Sequence, residues 1–341
     1  MNIILQLLDP DFVKGLFKKE LLPVCPEITE IKEIKIEPVK KHVWRTTYHV
    51  VFRFITTLAD QNGAELTWQI YCSAHSSEPR ENVHEALKFL WGQSFSQNDL
   101  TVPRPLFYSP AFRAVFYQGV EGKLMYAAMK ERNYSEIEIA LTKTAAWFAK
   151  LHALPTAEAK NFNPQNSRIA TVVPGKDHIL EKISALYPEH LKAYEKFYHL
   201  FVLREESFLG SSERHWYAHG DAHPENIIIL PNHKLAMIDF ADFCLSDFAR
   251  DLGTFLQQLE YMANRRIGEH GYTEKIKKLF LSSYLDFAKI KLDESLEARI
   301  ANYYNWTAIR TANYFLFKHD PQPESARPLI ELVCRNLNIK K

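Results

Sequence analysis

Apolar positions 12, 13, 16, 17 and 21 recur at the three-to-four spacing of one helical face, and Asp11 stands as their N-cap. Residues 12–22 therefore predict an amphipathic helix. The period then shortens. Residues 29–38 (TEIKEIKIEP) and 42–58 (HVWRTTYHVVFRFITTL) are rich in β-branched and aromatic residues and predict strands. DQNG at 60–63 is a tight-turn signature, and ELTWQIYC at 65–72 returns as the next strand of an antiparallel meander. Residues 81–91 place Val83, Leu87, Leu90 and Trp91 on one helical face. A Pro-rich connection over 102–108 leads to a short strand at 112–117, and QGVEG at 118–122 breaks the pattern. Helical periodicity dominates afterwards, over 123–131, 135–154, 177–209, 247–266, 272–288, 293–318 and 325–337. The exception is 215–245, where apolar strands 227–230 and 235–238 flank a Pro-Asn-His turn.

This order predicts an α+β chain of two lobes: a small antiparallel β-rich lobe over 1–117, a hinge at 118–122, and a mainly helical lobe over 123–341. At 46% apolar and 13% aromatic residues the chain can build a large core, which excludes disorder, collagen-like repeats and coiled coil as the overall class. Lys and Arg (42) balance Asp and Glu (41), so a broadly basic footprint is absent and no nucleic-acid partner is expected. The four cysteines, at 25, 72, 244 and 334, contain no CxxC pair, which fits reduced cytoplasmic thiols better than a disulfide scaffold or a zinc site. No apolar run approaches the ~20 residues that span a bilayer. The first residues are too acidic and too regularly patterned for a signal peptide, so a cytoplasmic protein without a membrane partner is expected. The oligomeric state stays open.

The chemistry concentrates in 217–253, YAHGDAHPENIIILPNHKLAMIDFADFCLSDFARDLG. Asn226 follows Asp221 by five residues at the entrance of the first short strand, and Asp239 closes the second, thirteen residues on. Moving a phosphoryl group requires hard cations, and hard cations take oxygen ligands. A hairpin with an amide at its entrance and a carboxylate at its exit is expected to bring both to the same phosphates. Asp221, on the preceding loop, would accept or orient the proton of an incoming hydroxyl.

HGDxHPxN followed by IDF and DLG resembles the aminoglycoside phosphotransferase and choline kinase family, which shares the protein-kinase-like fold. The resemblance implies that Asp221 is the catalytic base or orienting residue, that Asn226 and Asp239 ligate Mg2+, and that Asp251 is a structural anchor capping the helix behind the loop. It makes His219 a packed structural residue and leaves His223 to position the loop or touch substrate. The segment 147–154 (WFAKLHAL) resembles the family's helix carrying Leu151 and His152. The co-substrate implied is ATP or GTP, its base read by the linker residues Phe116, Tyr117, Gln118, Gly119 and Val120. The acceptor is a hydroxyl of a small molecule such as an aminoglycoside, a choline-like amine alcohol or a sugar. A protein substrate is disfavoured because no APE-type segment follows Asp239.

Two parts of the pattern are missing. No glycine lies between Gly15 and Gly63, so the loop expected to cover the phosphates is 37–43 (EPVKKHV), with Lys40 and Lys41 as its charges or as a solvated basic turn. Gln69 stands where the third strand should present a lysine, and its helix partner would be Glu81 or Glu85. A neutral amide cannot neutralise phosphate charge. Arg45 or Arg53 is an alternative source of that charge. A catalytically silent nucleotide- or ligand-binding module is the competing reading. Asp242 is read as a solvated or capping acid rather than a contact for a metal or substrate cation, Cys244 as a buried inert thiol rather than a reactive one, and the aromatic helix 303–317 as core or as a wall of the acceptor pocket, which would be acidic for a cationic acceptor.

Overall fold

The computed structural model describes residues 2–339 except 79, 97 and 158. The chain forms two compact units, Met1–Gly122 with Leu230–Ala241, and Lys123–Ile229 with Asp242–Lys341. Among the described residues no helix is long and apolar enough to cross a membrane.

In the first unit, α1 (Pro10–Glu20) starts two residues earlier than the Asp11 cap predicts. Asp9 is the N-cap, its carboxylate accepting from the Asp11 and Phe12 amides at 2.9 and 3.3 Å, and Pro10 takes the first helical position, where its missing N–H costs nothing. Next come β1 (Ile28–Val43), β2 (Tyr48–Asp60), β3 (Glu65–His75) and α2 (Glu81–Leu90). β1 corrects the sequence reading: residues 37–43 are strand, not loop, and the turn to β2 is 44–47. Bulges at Ile28/Glu30, Ile31/Glu33 and Pro38/Lys40 absorb extra residues, so Ile28, Ile31 and Ile34 are all buried at a spacing of three.

β4 (Leu100–Thr101), β5 (Arg104–Ser109) and β6 (Ala114–Gln118) complete the unit's first run. The five-stranded sheet has the order β1-β2-β3-β6-β5 with every pair antiparallel. β5 takes the place of the Pro-rich connection expected over 102–108. It tolerates Pro105 because it is the edge strand, and a bulge falls between Pro105 and Phe107. One face of the sheet packs on α1: Phe17 meets Phe54, Phe107 and Phe116 at centroid distances of 5.4, 6.2 and 6.1 Å. Each such buried ring contributes about 1.5–3 kcal/mol. The opposite face, with Gln69, Tyr71, Ser73 and His75 of β3, is only half-buried.

The second unit begins with β7 (Lys123–Leu124), α3 (Met125–Lys130) and α4 (Tyr134–His152). The helix predicted over 177–209 is two, α5 (Lys176–Leu186) and α6 (Leu191–Ser211), because Pro188 forces Tyr187 out of helical geometry (φ −143°, ψ 57°). Then follow β8 (Trp216–Ala218), β9 (Ile227–Ile229), β10 (Leu235–Met237) and β11 (Cys244–Ser246). β9 pairs with β7 in the second unit, while β10 belongs to the first, running parallel to β4. β8 and β11 pair antiparallel, Ala218 opposite Cys244, and frame the motif loop. Helices α7 (Ala249–Arg266), α8 (His270–Ala288), α9 (Glu294–Phe317) and α10 (Pro323–Asn336) complete the unit. α7 and α9 approach so closely at Gly253 that a Cβ there would stand 2.5 Å from the Ile300 carbonyl oxygen.

Candidate active site

The loop after β8 is held from behind by Asp251, in the first turn of α7. Its fully buried carboxylate accepts from the His219 amide (2.7 Å), the Gly220 amide (2.9 Å) and His152 Nε2 (3.1 Å). His152 is held in turn by Tyr284, whose hydroxyl lies 2.9 Å from Nδ1. Burial alone would raise the Asp251 pKa; the His152 hydrogen bond, its charge and these amides reverse that and hold the group ionised. Asp251 thus anchors the loop backbone rather than capping the helix. Gly220 has φ +84°, and a Cβ there would sit 2.4 Å from the Asp242 carbonyl oxygen, so only glycine fits.

This anchoring sets Asp221 at the rim of a cavity of about 540 Å³ in the second unit, bounded by the loop, α7 and α9. Burial opposes its charge, but His223, Arg310 and His219 outweigh that and lower its pKa below the usual carboxylate range. His223 Nε2 is 3.5 Å and Arg310 Nη1 3.7 Å from its oxygens. Arg310 also lies 3.6 Å from Asp242, which accepts a hydrogen bond from Asn166 Nδ2 at 2.6 Å. Burial, then the charge of Asp221, pushes the Asp242 carboxyl up. Asp242 is therefore a clasped carboxylate, not a solvated or capping acid. Asn226 is buried and donates through Nδ2 to the Asp221 carbonyl at 3.0 Å, which leaves the oxygen end of its amide for other partners.

In the first unit, the half-buried face of the sheet gathers a different set. Lys40, in β1, pairs with Val51 of β2, which pairs with Ser73 of β3, so all three lie level across the sheet. Lys40 Nζ donates to His49 Nε2 at 3.1 Å, and the His49 and His75 rings meet at 4.6 Å. Burial, then the charge of Lys40, pushes His49 down to about 4, so it is neutral at pH 7. Burial, then Arg80, lowers the Lys40 pKa, while Asp239 works to raise it. Arg80 keeps a buried Nε without a hydrogen-bond partner and lies 3.6 Å from Glu78. Asp239 is exposed, and its backbone is left-handed (φ +65°).

Residues 43–278, more than half the chain, match the phosphotransferase enzyme family. The chain belongs to that family. It is a small-molecule kinase with an α+β, protein-kinase-like fold. Similar solved structures include the ethanolamine kinase of Plasmodium vivax (12% identity, TM-score 0.54, 90% of this chain and 83% of that one). Another is APH(2″)-IIa in ternary complex with streptomycin and ATP (16% identity, TM-score 0.53, 96% of each chain). A third is an aminoglycoside-3′-phosphotransferase of type VIII (17% identity, TM-score 0.52, 80% of this chain and 93% of that one). At these identities the likeness establishes the fold alone. No curated protein matches the sequence significantly.

Within this phosphotransferase the structure brings Asp221, Asn226, His219, His223 and Asp251 together in one loop system of the second unit, while Asp239 belongs to the first. Three nucleotide expectations are corrected. Phe116 points into the apolar core, stacked on Phe107 at 4.3 Å, because strand alternation turns it away from the face that carries Tyr117. Lys41 is exposed, and Lys40 lies in a strand rather than a loop. Gln69 lies level with the linker: its carbonyl accepts from the Gly119 amide at 2.8 Å and its side chain donates to Glu121 at 3.3 Å. Gly119 cannot then offer its N–H to a base, and its lack of a Cβ admits the Tyr71 ring, which would otherwise stand 2.5 Å away. Tyr71 stacks on Tyr117 at 5.8 Å, and Gln118 ends the paired strand before Val120. Arg53 is committed to Glu37. Cys244 is buried, its thiol pushed up to about 12 by burial.

Sequence reasoning missed Arg80, Arg265, Arg310 and Lys318. Arg310 had one available signal, a charge inside the aromatic stretch of α9. That helix is both core and wall: Tyr303, Trp306 and Phe315 are buried, while Thr307, Arg310, Thr311 and Tyr314 reach the cavity.

Proposed function

We propose that this kinase transfers the γ-phosphoryl group of ATP or GTP to the hydroxyl of a small molecule seated in the cavity beside Asp221. The observation that carries the reading is an ionised carboxylate, fixed by a buried anchor, at the rim of a cavity sized for a small ligand. Asp221 accepts the acceptor's O–H hydrogen bond and aims the oxygen at phosphorus; the new O–P bond forms as the bond to the nucleoside diphosphate breaks, and the hydroxyl proton leaves by way of Asp221. A carboxyl held so firmly ionised is a weak base, so its main contribution is alignment, with proton transfer late.

Lys40 and Arg80 supply the positive charge that Gln69 cannot. Lys40 reaches, from the strand two over, the level of the sheet where Ser73 stands, and its ammonium feels Asp239. The carboxylate of Asp239 in the first unit and the amide oxygen of Asn226 in the second are each the hard-oxygen donor that Mg2+ takes, an ion that keeps several waters and needs only one or two protein ligands beside substrate phosphates. That ion would neutralise charge on the triphosphate. The Asn226 amide, donating through Nδ2 to the Asp221 carbonyl, turns its oxygen end to other partners.

Asp221→Ala should lower turnover by about 10²–10⁴-fold while the melting midpoint still rises with Mg-ATP or Mg-GTP. Full turnover by the variant in an assay of nucleoside diphosphate release would refute the assignment.

A further inference from the structure

The charge of the acceptor cavity is opposite to that expected for an amine substrate. Three cations line it, Arg265, Arg310 and Lys318, against two carboxylates, Asp221 and Glu225. Asp221 is already bracketed by His223 and Arg310, and Arg310 is shared with Asp242. Glu225 is exposed. Arg265 and Lys318 have no carboxylate within ion-pair distance among the described residues. Arg265 instead donates to the Tyr261 hydroxyl at 2.9 Å, and Lys318 lies against the rings of Tyr314 and Phe315 at 6.0 and 5.6 Å. Behind the wall, Arg266 donates to the Tyr126 hydroxyl at 2.5 Å and Lys130 sits 4.6 Å over its ring. The Tyr126 and Tyr261 hydroxyls, each accepting from an arginine, keep their own protons to donate.

Arg265 and Lys318, cations without a carboxylate partner among the described residues, raise the local potential, and an incoming ammonium would meet like charge from both, while Arg310 is already shared by Asp221 and Asp242. An incoming anion is offered two cations and two hydroxyl donors. We propose that the acceptor is an alcohol bearing a negatively charged group, carboxylate or phosphate, which Arg265 and Lys318 hold while Asp221 receives the hydroxyl. The second cavity, about 380 Å³, shares Arg310, Tyr314 and Lys318 with the first and is otherwise mainly apolar, so the cationic wall also borders room for an apolar portion of the same molecule.

This inference rests on the phosphotransfer reading, and its test separates the two. Diphosphate release with Mg-ATP and Mg-GTP is measured for gluconate, glycerol phosphate, glucose, choline and kanamycin. An anionic alcohol should give the highest kcat/KM, gluconate against glycerol phosphate deciding which anion is preferred. Arg265→Gln and Lys318→Gln should each raise its KM about tenfold to a hundredfold, with the nucleotide KM unchanged. Higher kcat/KM for choline, kanamycin or glucose, or an unchanged KM in both variants, overturns the proposal and leaves phosphotransfer standing. Melting midpoints with gluconate and glycerol phosphate provide a readout that needs no turnover. A rise in the parent that the double variant loses sustains the anion site even if no nucleotide binds, in which case the phosphotransfer reading fails alone. No rise, or an equal rise in both proteins, overturns the anion site.

Discussion

Replacing Asp251 by Ala tests whether one buried carboxylate holds the motif loop. Its oxygens take three hydrogen bonds, from the His219 and Gly220 amides and from His152 Nε2. In the alanine variant both amides lose their acceptor inside a site where Asp251 and His219 are completely buried. Each orphaned buried group costs about 1–3 kcal/mol. His152 keeps its Tyr284 contact through Nδ1, so its own penalty is the smaller part. Water entering the vacated space offsets some of the sum, which places the expected loss at about 3–5 kcal/mol, the size seen when one member of a buried charged pair is removed. The loss should appear as a lower urea midpoint and, locally, as roughly hundredfold to thousandfold faster hydrogen exchange of the 219–220 amides. Asp251→Asn should fall between, because one amide oxygen can still accept while its NH2 faces a second donor. A destabilisation below about 1 kcal/mol for the alanine variant, with 219–220 exchange at the parent rate, would refute the anchoring role.

Glu205 gives a pH signature. Burial raises its carboxyl from 4.5 to about 7 despite bonds from the Ile169 amide and the Tyr303 hydroxyl. The folded state binds this proton more tightly, so the stability it contributes is full below pH 4.5 and is lost as pH rises through about 7, by at most about 3 kcal/mol. Glu205→Gln should flatten that part of a stability-against-pH curve, and parallel curves would sink the idea. Lys40→Gln should raise the nucleotide KM at least about tenfold and leave the acceptor KM alone, whereas Lys41→Gln, on an exposed position, should change little; equal effects would remove Lys40 from the phosphate site. Gly220→Ala, forced at φ +84° into a 2.4 Å approach to the Asp242 carbonyl, should lower both the melting midpoint and kcat; unchanged values would mean the loop relaxes freely.

What was legible in the sequence was whatever a local pattern fixes. Long helices showed their period. Asp221, Asn226 and Asp251 were readable because a short loop and the helix after it tie them at set offsets. Boundaries failed where one residue reverses a propensity: Pro188 splits a helical run, and Pro105 hides an edge strand. β1 runs past its expected end because bulges replace the two-residue alternation with a spacing of three. Phe116 was assigned to the nucleotide from its place in the linker, but in a strand a shift of one residue exchanges the two faces of the sheet, and only pairing with β3 and β5 settles which face it takes.

The same distinction separates the reaction from its specificity. The proposed catalytic loop, Asp221 to Asn226, is contiguous in the sequence, so its residues announce themselves as a motif. The charge proposed to select the acceptor comes from Arg265 at the end of α7 and Lys318 just beyond α9, beside Arg310 in α9. No spacing rule links these positions; helix packing through Gly253 brings α7 and α9 to the same cavity. The missing strand lysine follows the same logic. A sheet face is a two-dimensional surface, and a cation can reach it from another strand: Lys40, two strands over from β3, lies level with Val51 and Ser73, four residues along the strand from Gln69, whose own row is Ile55 and Lys35. On the proposed reading, the cation missing at Gln69 is replaced by one displaced along the sheet rather than by one at the same point.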